Sequence, residues 1–180
     1  MLAWKIAPAL AMGNAVVLKP AEYTSLTALL FAEICGQAGV PEGVVNIVTG
    51  DGAVGEMIVA HPAIDKIAFT GSTEVGRKIR RATAGQGKAL SLELGGKSPL
   101  VIFDDADLEN SVSGAILANF YSTGQVCSNG TRVFVQKGIL DTFLTRLTER
   151  LSLAVIGDPQ DESTNFGPMV SERQLEIVLS

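Results

Sequence analysis

Lys66–Ala84 reads KIAFTGSTEVGRKIRRATA. Lys66–Thr70 (KIAFT) is a short apolar run of the kind that forms a strand. Gly71 breaks it, and Ser72 and Thr73 supply hydroxyls where a helix would need a cap. Thr73–Ala84 then follows a helical pattern, with Arg77, Lys78, Arg80 and Arg81 spaced as a solvated helix face. A strand that feeds a helix through a glycine turn is the repeating unit of α/β proteins.

The unit recurs on both sides. Upstream, Ala15–Leu18 (AVVL) predicts a strand closed by Lys19-Pro20. Thr24 or Ser25 caps the next helix, where Leu26, Leu30, Ile34 and Ala38 recur every fourth residue and predict one apolar stripe. Cys35 lies inside that repeat and reads as a buried structural residue. Gly36, Gly39 and Pro41 end the helix. Val44–Val48 is a second strand and Ala53–Ala60 a short helix. Downstream, Ala89–Leu94 alternates, with Leu90, Leu92 and Leu94 on one face, and Pro99–Phe103 is a further strand. Asp105 or Asp107 caps a helix that runs to Tyr121. Arg132–Gln136 is a strand, and Leu140–Leu153 a helix burying Leu140, Phe143, Leu144, Leu147 and Leu151. Most strands are continuous apolar runs, as in parallel sheets covered on both faces. The pattern predicts an α/β fold with a doubly wound, mostly parallel sheet. The alternation breaks at Glu93–Pro99, where two strand-like runs meet without a helix. A domain boundary is therefore expected near Gly95–Gly96, dividing 1–94 from 95–180. The chain starts inside an apolar pattern and stops inside the helical pattern QLEIVLS, so it reads as an internal portion of a longer protein.

Composition narrows the function classes. The 180 residues are 47% hydrophobic and 18% charged, with a formal net charge of -5. That balance, without a long Lys/Arg block, argues against a nucleic-acid surface. Two distant cysteines make no disulfide framework and suit a reducing compartment. MLAWKIAPALAMG is apolar but too short for a membrane span, and no basic segment precedes it as in a signal peptide. A soluble cytoplasmic protein without a metal site is expected.

Cys127 stands out, because it lies between two glycine turns in Asn119–Arg132 (NFYSTGQVCSNGTR), on a connection between helix and strand. Chemistry is often placed on such connections. A free thiol is only a few per cent thiolate at neutral pH and needs activation. The one histidine, His61, precedes Pro62 at a helix end and reads as a surface residue, which disfavours a Cys-His hydrolase. Glu93 is the available base. It interrupts an apolar strand, where burial would raise its pKa, although it shares the polar parity of Ser91 and could equally face solvent. Three strand ends suggest a ligand. Lys19-Pro20-Ala21-Glu22 could hold ribose hydroxyls or be a polar loop. Gly50–Gly55 is a formal GxGxxG without the expected acidic partner one strand later. Ser72 stands where backbone N–H groups could seat a phosphate, or is an ordinary cap.

Together these segments resemble the aldehyde dehydrogenase superfamily. ELGGKSP at 93–99 and GQVC at 124–127 match its two best-known signatures, GNAVVLKPAE and FTGSTEVG its cofactor-binding turns, and NFGPMVS at 165–171 a further segment. The ordered set covers essentially the whole chain and looks most like the bacterial betaine-aldehyde branch. The resemblance implies a Rossmann-like cofactor-binding part followed by the start of a thiol-bearing α/β catalytic domain. It implies that Cys127 attacks the aldehyde and holds the oxyanion partly through its backbone N–H. Hydride then passes to NAD, and Glu93 activates water against the resulting thioester. Lys19 and Glu22 would hold the adenosine ribose, Gly52 would line the adenine side, Ser72 would meet the pyrophosphate, and Gly95 would let the nicotinamide approach. Lys5, in WKIAPAL, matches a lysine with a proton-relay role in that branch. Glu22 favours NAD over NADP. A monovalent cation such as potassium, a small aldehyde substrate, betaine aldehyde first, and a full-length homodimer or homotetramer are further implications. The alternative is a truncated remnant that binds nucleotide without turnover; a thiol hydrolase or acyl transferase is the third reading.

Overall fold

A computed structural model describes all 180 residues, Met1–Ser180. The chain divides into two compact units, Met1–Leu94 and Gly95–Ser180.

The first unit begins with helix α1 (Leu2–Ala11), which contains Pro8. It continues as β1 (Val16–Leu18), a 3-10 turn at Glu22–Thr24, α2 (Leu26–Gln37), β2 (Val45–Ile47), α3 (Gly52–Ala60), β3 (Lys66–Gly71), α4 (Thr73–Ala82) and β4 (Ala89–Leu94). β1 pairs parallel to β2, with Leu18 opposite Ile47. β3 pairs parallel to β4, with Thr70 opposite Glu93. The core of this unit gathers Val59, Ile67 and Ile79, backed by Ile58, Ile64, Phe69, Leu90 and Leu92. Leu90 and Leu92 come from the face of β4 that the alternation marked as apolar. Lys88 holds the end of α3 by donating from Nζ to Val59 O at 3.0 Å and to His61 O at 2.5 Å. A cation at a helix C-terminus satisfies carbonyls that the helix itself leaves open.

The second unit runs β5 (Pro99–Ile102), α5 (Leu108–Phe120), a 3-10 turn at Tyr121–Gly124, β6 (Arg132–Val135), α6 (Leu140–Leu151) and α7 (Glu172–Leu179). β5 pairs parallel to β6, with Ile102 opposite Val135. Asp107 is the cap of α5, its Oδ1 accepting from Asn110 N–H at 2.8 Å. Ile102, Val112, Ala115 and Phe143 form the core. Arg146 crosses from α6 to Glu109 of α5 at 2.8 Å, an exposed pair that contributes little beyond orientation.

The α/β architecture with parallel strands is as the sequence predicts, and the strands occur as three two-stranded ladders. The α2 stripe is a correction. Leu26 is 80% exposed and Leu30 and Ile34 are also exposed, while Ala28 and Cys35 are buried. The small residues of α2 make the close approach, and its leucines face outward. Ser25 occupies the cap position of α2 without a side-chain cap, because the preceding 3-10 turn delivers the chain already helical. In α6, Phe143 is buried, whereas Leu140 and Leu144 are exposed. The helix turns Phe143 and Leu147 inward and leaves those two leucines outside.

Phe143, 2% exposed, is the largest side chain in its core. Phe143→Ala should cost the second unit about 3–5 kcal/mol, measured by denaturant unfolding. Trp4, Met12, Leu26 and Ile156 are each at least 79% exposed. Apolar exposure on this scale predicts self-association, so light scattering should report a mass above the monomer; a concentration-independent monomer would contradict it.

Candidate active site

Parallel pairing brings the ends of β1 and β2 to one edge, and the polar residues collect there. Lys19 Nζ donates to Gly50 O at 2.8 Å and to Glu22 Oε1 at 2.9 Å. Pro20, Glu22, Ser25, Thr49, Gly50 and Asp51 line a cleft of about 300 Å3. Gly50 has φ +148, and a Cβ on it would lie 2.4 Å from Val54 Cγ2, so the turn into α3 admits only glycine. Gly52, the first residue of α3, has open space where a Cβ would be. Asp51 caps α3 by accepting from Ala53 N–H at 2.9 Å. The sequence reading named the glycines and missed Asp51, although an acidic residue just before a helix is a standard cap signal. The Glu22 carboxyl is held below its ordinary value of 4.5, first by a backbone N–H bond at its own residue and then by the Lys19 ammonium.

Ser72 and Glu93 share the corresponding edge of β3 and β4. Ser72 Oγ accepts from Val75 N–H at 3.2 Å, so the ordinary cap is formed. The hydroxyl retains its own proton to donate. Glu93 is exposed. The burial expected of it is absent, because Leu92 and Leu94 take the inward positions of β4 and Glu93 follows the polar parity. Lys5 is half-buried on α1. Burial lowers its pKa from the ordinary 10.5, and the negative charge of Glu93 opposes that shift. The two side chains singled out as acid–base candidates in this unit thus feel each other electrostatically.

Cys127 and Gly95 belong to the second unit. Cys127 is an exposed free thiol, in contrast to buried Cys35. Its backbone N–H has no acceptor within the chain. The preceding turn is left-handed at three successive residues, Ser122 (φ 51), Thr123 (φ 56) and Gly124 (φ 74). Behind the thiol, Gly130 packs so closely that a Cβ would lie 3.1 Å from Leu100 Cβ and 3.3 Å from Ala118 Cβ. Asn129 Nδ2 and Thr131 Oγ1 are buried without a hydrogen-bond partner. Gly95 is exposed, with nothing near the position of a Cβ. Among the side chains near the thiol, Gln125 was quoted only as part of a signature. Its Oε1 accepts from Val170 N–H at 3.2 Å, a contact 45 residues apart that no local pattern announces.

The first unit thus has a polar cleft at parallel strand ends and a capped helix start, and the second unit an exposed free thiol, in an α/β protein. The sequence pattern of the aldehyde dehydrogenase family matches residues 1–180. The chain belongs to that family. It is 57% identical over 177 residues to a betaine aldehyde dehydrogenase of Sinorhizobium fredii, covering 98% of this chain and 36% of the relative. Among solved structures, an NADP-dependent enzyme of E. coli superposes with a TM-score of 0.95 at 44% identity, covering 98% of this chain and 37% of that one. A Staphylococcus aureus betaine aldehyde dehydrogenase in complex with NAD+ superposes with a TM-score of 0.93 at 40% identity, covering 97% and 35%. The chain thus spans about 36% of the length of the curated relatives it matches. No helix is long and apolar enough to cross a membrane.

The Lys5–Glu93 coupling has a defined sign. A lysine whose folded pKa lies below 10.5 binds fewer protons folded than unfolded between the two values, so stability rises with pH across that window. Glu93→Gln removes the opposing charge and should lower the Lys5 pKa further, read by NMR titration of its ε-ammonium. An unmoved titration would show that the two charges do not interact.

Proposed function

We propose that the protein performs NAD-dependent oxidation of an aldehyde to a carboxylic acid, with betaine aldehyde to glycine betaine as its reaction. The observation that carries this is an exposed thiol with an unpaired backbone N–H, inside GQVC, in a chain that matches one dehydrogenase family from end to end.

In this reading Cys127 Sγ attacks the carbonyl carbon and forms a thiohemiacetal. The developing oxyanion is held in part by the Cys127 N–H, a preorganised donor of the kind that contributes most to acyl chemistry. Oxidation leaves a thioester on Sγ. Glu93 takes a proton from water, the hydroxide so formed adds to the thioester, and the acid leaves as the thiol is restored. Lys5, beside the Glu93 charge, relays that proton toward solvent. NAD, when bound, supplies the hydride acceptor that the oxidation requires.

The first unit's residues suit such a cofactor. The cleft of about 300 Å3 is lined by the Glu22 carboxylate and by Asp51 at the capped start of α3, and Lys19 is bonded to two of its lining residues, Glu22 and Gly50. Lys19 and Glu22 would hold the adenosine ribose, Gly52 would line the adenine side and Ser72 would donate to the pyrophosphate. Gly95 would allow the nicotinamide to approach, since nothing crowds it. A family relative from E. coli is NADP-dependent, so cofactor choice rests on Glu22, whose carboxylate would repel a 2′-phosphate. A backbone N–H bond and then the Lys19 ammonium hold that carboxyl below its ordinary range. A cytoplasmic location suits the free thiols, and self-association as a dimer or tetramer suits the exposed apolar side chains.

A second reading, nucleotide binding without turnover, is favoured by the 36% span of the relatives. Aldehyde-dependent NADH formation separates the two. The full-length form should make NADH, and Cys127→Ser in it should abolish this. Glu93→Gln should slow thioester hydrolysis about 10²–10⁴-fold while sparing an initial burst. NAD binding with no turnover would select the second reading. Near-normal turnover in Cys127→Ser would end the thiol mechanism.

A further inference from the structure

We propose that Asn165–Val170 is a positioning brace for the Cys127 turn, with Gln125 as its principal contact. The proposal rests on the reading of Cys127 as nucleophile and assigns the segment a role in holding that nucleophile.

Three contacts join the segment to the residues just before the thiol. The rings of Phe120 and Phe166 meet with centroids 5.6 Å apart at 53°. Thr123 Oγ1 donates to Gly167 O at 3.4 Å. Val170 N–H donates to Gln125 Oε1 at 3.2 Å, two residues ahead of Cys127. The segment is itself anchored. Asn165 N–H and Phe166 N–H both donate to Val155 O, at 2.9 and 3.1 Å, and Gly157 N–H donates back to Phe166 O at 3.1 Å. Asn165 Oδ1 accepts from Val155 N–H at 2.9 Å. The brace therefore ties the stretch that follows α6 to the thiol turn.

The turn has need of such a tie. Ser122 and Thr123 are non-glycine residues in the left-handed region, a conformation that persists only when its surroundings over-determine it. Beyond the 3-10 turn at Tyr121–Gly124, its backbone bonds are Gln125 N–H to Ser122 O at 3.1 Å, Asn129 N–H to Val126 O at 3.2 Å and Thr131 N–H to Asn129 O at 2.9 Å. None of these involves Cys127 itself. A nucleophile displaced by a single ångström loses much of its effective concentration against a carbonyl. The brace contacts flank the strained residues and stop short of the thiol, so they orient Sγ without covering it.

Gln125→Leu keeps the side chain's bulk and removes the acceptor. Gln125→Glu keeps an acceptor for Val170 N–H. Hydrogen exchange of residues 122–129 should quicken about fivefold in Gln125→Leu, the effect of losing one partly exposed hydrogen bond, and return to near wild-type in Gln125→Glu. Amides of α5 and α6 serve as the folded reference. Phe166→Leu should quicken the same residues. Iodoacetamide should label Cys127 in Gln125→Leu at a rate at least about threefold changed from wild-type, again the scale of one hydrogen bond, with buried Cys35 as internal control. Unchanged exchange and labelling in Gln125→Leu, or exchange in Gln125→Glu as fast as in Gln125→Leu, would overturn the brace. These readouts need no turnover. Loss of the thiol mechanism in the Cys127→Ser assay would therefore leave the physical brace standing and remove only its catalytic purpose.

Discussion

Parallel pairing of short strands is the constraint on which the candidate site depends. With Leu18 opposite Ile47, the residues that follow β1 and β2 emerge side by side, and Lys19 reaches Gly50 O although 31 residues separate them. With Thr70 opposite Glu93, the carboxylate lands beside the turn that carries Ser72. Both edges are also where helices begin, so unpaired backbone donors and cap side chains gather at the same places. The polar character of the site follows from topology first and from residue identity second.

Structural and ligand roles overlap at these edges without conflict. Asp51 caps α3 and lines the cleft. Ser72 uses a lone pair to cap α4 and keeps a proton to donate. Lys19 satisfies Gly50 O while it pairs with Glu22. Each group is held in place by a bond that leaves part of its hydrogen-bonding capacity unused. Such preorganisation lets an exposed strand end act as a binding surface, since ordering it on binding costs less.

Local signals made much of this legible. Short apolar runs located every strand, Asp107 was one of two named caps, and Cys35 was separated from Cys127 by its place inside a helical repeat. The failures share a cause. Four-residue spacing in α2 marked an apolar side but could not say whether anything covers it, and the structure buries Ala28 and Cys35 while Leu26 faces out. In β4 the alternation was correct, and its consequence, an outward Glu93, was the alternative weighed beside a buried one. The contacts of Gln125 with Val170 and of Thr123 with Gly167 span 45 and 44 residues. No pattern of local period can carry contacts at that separation.

The thiol turn shows what such long-range contacts are for. Between Ser122 and Thr131 the chain holds two left-handed non-glycine residues and two buried polar atoms without partners. Each feature opposes folding by roughly 1–3 kcal/mol. No hydrogen bond inside the turn is strong enough to offset that. The compensation must come from beneath and beside it: from the core around Val112 and Phe143, against which Gly130 is pressed by Leu100 and Ala118, and from the segment that follows α6. A locally unfavourable turn held by a well-packed support has one useful property. Its geometry is set by the support, so the side chain at its tip can remain exposed to solvent and reagents and still point in one direction.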